Sequence, residues 1–116
     1  MTAQEMSDKI VARISGDRRG VGVSVCELLD HCGQDARGEL TLELQPNLVL
    51  WSRVSDVFGD AFKLALSRID MQVLPPILVL TEPRLLDLPI AKGIRPYKAP
   101  RWLPVALFAK KQGAGA

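Results

Sequence analysis

The sequence predicts an α+β domain, and three observations carry that reading. Two helix starts are written as capping boxes near the N-terminus. The stretch ELTLEL at 39–44 alternates strictly between apolar and polar residues, the pattern of a half-buried strand. The run RVSDVFGDAFKLALSRI at 53–69 repeats apolar residues at three- and four-residue steps, the pattern of a helix packed on a core.

Taken in order, Thr2 and Glu5 form the first capping box. Met6, Ile10, Val11 and Ile14 follow at helical spacing, and Gly16 is a stop. A polar, glycine-containing loop, DRRGVG, comes next. The glycines of GVGVS (20–24) precede a helix, where backbone amides are able to seat a phosphate, but a plain turn is the expectation. Ser24 and Glu27 form the second capping box. Val25, Leu28, Leu29 and Cys32 make a short apolar stripe, and Gly33 ends a helix of about two turns. After ELTLEL, Gln45-Pro46-Asn47 reads as a turn into a second strand, LVLW at 48–51.

Ser52 or Ser55 caps the long helix, which Val54, Val57, Phe58, Ala61, Phe62, Ala65 and Ile69 would fix to the core. Gly59 inside it costs about 1 kcal/mol against alanine, which suggests a close backbone contact there. MQVL (71–74) and ILVLTE (77–82) read as two short strands about Pro75-Pro76. RLLDLPIA (84–91) is apolar with a proline stop, WLPVALFA (102–109) is an apolar C-terminal strand, and KKQGAGA ends the chain. The expected organisation is one domain over 1–109, with a basic, proline-containing loop embedded at 92–101 and a flexible tail at 110–116.

The 116 residues suit a single core, and 47% of them are apolar. No run is long enough to cross a bilayer. MTAQEMSDKI lacks the basic start and apolar centre of a signal peptide, so the cytoplasm is expected. Cys26 and Cys32, with the one histidine, His31, are too few for a zinc site and read as buried or half-buried thiols. There is no Walker loop, no GxGxxG and no nucleophile motif. The expectation is a non-enzyme without metal, cofactor or small-molecule substrate.

Charge is unevenly placed. Residues 1–91 carry 9 basic and 13 acidic side chains, whereas residues 92–116 carry 6 basic and no acidic ones. Such a basic segment expects an anionic partner. Within KGIRPYKAPRW, Lys92, Arg95, Lys98 and Arg101 fall at every third position. Polyproline II, with three residues per turn, would align them on one edge about 9 Å apart. Tyr97 and Trp102 are available to stack on bases, although Trp102 is expected to cover the core instead. The apolar residues on either side, IA at 90–91 and WLPVALFA, would pin the loop at both ends.

The order of elements resembles a winged-helix domain, a helix-turn-helix variant, over residues 2–82. SVCELLDHCG is the second helix, RVSDVFGDAFKLALSRI the third and MQVLPPILVLTE the wing. Two features depart from the family pattern. A strand pair separates helices two and three, and the wing is apolar. The resemblance implies a long helix facing DNA, with Arg53 as its best base contact and Asp56 and Asp60 repelling phosphate. The function expected is nucleic-acid binding, largely without sequence specificity and with DNA ahead of RNA. Lys92, Arg95, Lys98, Arg101 and Tyr97 would carry it, with Arg53, Arg18 and Arg19 contributing. The competing expectation is an assembly module that pairs as a homodimer, or with a larger partner, through the apolar edge strands.

Overall fold

The computed structural model describes residues 1–74 and 88–110, and its architecture is α+β. Helix α1 (Ala3–Ser15) starts at the expected capping box: the Thr2 hydroxyl accepts from the Glu5 amide, and the Glu5 carboxylate accepts from the Thr2 amide. Helix α2 (Val25–Cys32) repeats the device with Ser24 and Glu27. A single 3-10 turn over Gly33–Ala36 leads into strand β1 (Arg37–Gln45). Then come β2 (Leu48–Val54), helix α3 (Asp56–Leu66), β3 (Ile69–Val73), β4 (Arg101–Trp102) and β5 (Val105–Ala109). Of the expected hairpin at 71–82, the strand at 77–82 lies outside the described residues, as do residues 111–116 of the tail.

The long helix begins later than its apolar spacing suggests. Ser55, not Ser52, is its cap, with the Ser55 hydroxyl accepting from the Phe58 amide. Val54 fits the helical series but reaches the core from the end of β2. Arg53 therefore sits in a strand, exposed, with φ 58. Ile69, at the other end of the series, belongs to β3.

Two sheets share the core. In the first the order is β1-β2-β4, with β1 antiparallel and β4 parallel to β2. In the second, β3 pairs antiparallel with β5, from Ile69 opposite Ala109 to Val73 opposite Val105. An isolated bridge between Val23 and Leu107 attaches the α1–α2 loop to β5. Helix α1 packs chiefly on α3. Between helices and sheets lie Met6, Ile10, Leu28, Leu29, Leu48, Leu50, Phe58, Phe62, Leu103 and Leu107, all fully buried. Each large side chain removed from water in this way contributes about 1.5–3 kcal/mol. Cys26 and Cys32 are buried and not joined in a disulfide.

Glycines mark where backbones meet. A Cβ on Gly38 would lie 2.8 Å from both Ser55 Cα and Val54 O, at the bulge where Arg37 and Leu40 both register with Val54. Gly22 has φ +84, and a Cβ there would lie 2.8 Å from the Ala106 Cβ. The GVG segment is thus packed against β5. The expected close contact at Gly59 is absent: a Cβ there would meet nothing within 4 Å. Gly59→Ala should therefore stabilise the fold by about 1 kcal/mol through helix propensity. Gly38→Ala should destabilise it, because backbone rather than a flexible side chain stands in the way. Urea unfolding of the two variants checks both signs.

A cluster of ion pairs closes the α1–α2 junction. Arg19 Nε lies 2.7 Å from Asp17, its Nη2 lies 2.8 Å from Glu27, and Arg13 reaches both acids at 3.8 and 3.4 Å. The hydrogen bond from Arg19 is the main reason that the Asp17 carboxyl titrates below its ordinary value. A lowered folded pKa contributes stability that is complete above the unfolded value, about 4, and is lost as pH falls through the folded value. The melting temperature should therefore drop below pH 4. Arg19→Ala should make that drop shallower, as read by thermal unfolding at pH 7 and pH 3.

Candidate polyanion-binding loop

The loop at 92–101 is built on its two ends. Trp102 is buried and meets Trp51 edge-on, with ring centroids 5.9 Å apart. Ala91 and Leu103 are buried on either side of the loop. The incoming and outgoing chains bond to each other: Ala91 N donates to Trp102 O at 2.8 Å and Trp102 N to Pro89 O at 2.9 Å. The outgoing chain is also sewn to β2 and the turn before it, through Leu103 N to Val49 O and Arg101 N to Asn47 O. The double tether expected from the flanking apolar residues is present. Trp102 belongs to the core and offers no face to a base.

Between its ends the loop does not run as a straight polyproline II rod. The chain bends at 92–95 and again at 98–99. Tyr97 causes the curl: its hydroxyl accepts from the Lys92 amide at 2.9 Å and donates to Gly93 O at 3.1 Å. Gly93, at φ 147, takes a backbone conformation that other residues rarely adopt. The Arg101 guanidinium lies over the Tyr97 ring, 5.1 Å from its centroid, a cation–π contact. Tyr97 is therefore a structural brace whose ring is already covered on one side. The β1–β2 turn supports the loop from beneath, Gln45 Nε2 donating to Arg95 O and Asn47 Nδ2 to Tyr97 O. Sequence reasoning read Gln45-Pro46-Asn47 as a turn only; nothing local signals that its side chains hold a segment fifty residues away.

Lys92, Arg95 and Lys98 are exposed, Arg101 is half-buried, and none of the four makes an ion pair among the described residues. Four arginines of the body differ. Arg19 and Arg13 belong to the junction cluster, Arg37 pairs with Asp30 at 2.7 Å, and Arg68 with Asp8 at 2.7 Å. Arg19 is thus committed to Asp17, Glu27 and the carbonyl of Gly22. Arg18 is exposed in the α1–α2 loop, which is anchored to β5 and not to the β1–β2 turn. Arg53 stands at the end of β2, one residue before the buried Val54, and not on the helix that the winged-helix resemblance turns toward DNA. Lys92, Arg95, Lys98 and Arg101 are the candidates that the structure brings together; Arg18, Arg19 and Arg53 lie on other elements.

The phosphate reading of GVGVS finds no support in the geometry. Glu27 occupies the start of α2 and places a negative charge where an anion would sit. Among the described residues, no group of three His, Cys, Asp or Glu side chains is placed to share a metal ion, and no helix is long and apolar enough to cross a membrane. Compared with known proteins, the chain matches no family model, no curated protein and no solved structure.

Tyr97→Phe removes both hydroxyl hydrogen bonds while keeping the ring under Arg101. Loss of the pair should cost about 1–3 kcal/mol locally. Amide exchange at Lys92 should accelerate, while exchange in α1 and α3 stays unchanged.

Proposed function

We propose that this protein binds a nucleic-acid backbone through the loop at 92–101, with duplex DNA as the principal form and with little sequence specificity. One observation carries the reading: Lys92, Arg95 and Lys98 are exposed and without ion pairs among the described residues, on a braced loop, whereas Arg13, Arg19, Arg37 and Arg68 are matched to acids. Cations carried on a braced backbone lose less on meeting phosphate than those on a free tail, and each releases counterions when it does. Arg101 contributes less because it is held on Tyr97. In this reading the tethered loop does the work of a wing on a winged-helix-like body. Base stacking plays no part, since Trp102 is buried and Tyr97 is braced.

The test is fluorescence anisotropy with labelled duplex DNA, single-stranded DNA and RNA over a salt series. The native chain is compared with Lys92→Ala, Arg95→Ala and Lys98→Ala combined. On duplex DNA the slope of log K against log salt should fall by about 0.9 per cation removed. Folding should be unchanged, because none of the three side chains is buried. Failure of the native chain to bind any of the three nucleic acids at low salt overturns the proposal.

A further inference from the structure

A second surface, on different elements, has features that the fold itself does not require. Strand β1 is the outer strand of its sheet among the described residues. Helix α3 runs near β1, and between them lies a groove of about 250 Å³. Leu40, Leu42, Val54 and Gly59 give it an apolar floor, and Glu43, Asp56 and Asp60 line it with acid against one cation, Lys63. Leu40 is 52% exposed.

Gly59 adds an independent sign. Glycine in a helix interior weakens the helix by about 1 kcal/mol against alanine, and a close neighbour is one reason to keep it. Here there is none, since a Cβ would meet nothing within 4 Å. What the missing side chain does is keep the groove open along α3. The exposed Leu40 and the helix glycine both line this groove, and β1 has no outer partner among the described residues.

We infer that this groove receives an extended peptide segment of another protein, one that alternates basic and apolar residues and adds to the edge of β1 as a further strand. Backbone groups of β1 would supply the pairing, the exposed Leu40 the apolar contact, and Glu43, Asp56 and Asp60 the charge complement. A second copy of this chain is the poorer occupant. Antiparallel pairing of β1 with itself about Thr41 sets Glu39 of each copy opposite Glu43 of the other, and like charges directly across a strand pair repel.

The probe is a capped nonapeptide alternating lysine and valine, with a glutamate–valine peptide as control, titrated into the 15N-labelled chain. Binding of the lysine peptide should shift the amides of Leu40–Glu43 and slow their hydrogen exchange. Gly59→Leu, which fills the groove without burdening the helix, should melt no lower than the native chain yet bind at least tenfold more weakly. Asp56→Asn with Asp60→Asn should also weaken binding. Three results overturn the inference: no binding, equal binding of the glutamate peptide, or undiminished binding by Gly59→Leu. Self-association that protects β1 without any peptide also overturns it, since a second copy would then be the occupant. Loss of the loop cations at 92–98 should leave this binding unchanged, which separates the two surfaces.

Discussion

The burial of one apolar run near the C-terminus holds the molecule together. Trp102 and Leu103 lie along β2 and complete the first sheet, and Val105 and Leu107 lie along β3 and complete the second. All four are buried. Leu107 also takes the bridge from Val23, which fixes the loop between α1 and α2. Both helices that start with capping boxes, both sheets and the outgoing end of the basic loop therefore depend on the same eight residues. Hydrophobic burial on the order of 25 cal/mol per Å² is the dominant favourable term in such a core.

That arrangement explains what the sequence shows and what it hides. Helix starts are local events. The hydroxyls of Thr2 and Ser24 and the carboxylates of Glu5 and Glu27 act within four residues, so their pattern is visible in the string. Strand partners are not local. MQVL announces a strand but not its pairing with Val105–Ala109, because alternation records which face is buried and not what lies alongside. The start of α3 misleads for a related reason. Val54 and Val57 are three apart and both pack inward, one from a strand and one from a helix, and spacing alone does not separate them. With the boundary moved to Ser55, Arg53 leaves the helix that a base-reading role requires.

The basic loop was legible in charge and in its tethered ends but not in its path. Three-residue spacing suits an extended rod, yet one hydroxyl, that of Tyr97, reaches back five residues and curls the chain. Its supports, Gln45 and Asn47, belong to a turn whose composition says only that it is a turn. Surface ion pairs such as Arg37–Asp30 contribute little stability. Their significance here is one of occupancy: they leave the loop as the place where several cations stand together without a matching acid among the described residues.

The mouth of that loop has a further consequence. Pro89 and Ala91 are bonded directly to Trp102, so the chain enters and leaves the loop at neighbouring positions in one sheet. Adjacent strands lie about 4.8 Å apart, and closing a longer span between fixed ends costs little more than closing a short one. A longer insert would therefore cost little in closure entropy. The sheet works as a clamp on the two ends of the segment, so the core that holds it depends on residues 89–91 and 102–103 more than on what lies between.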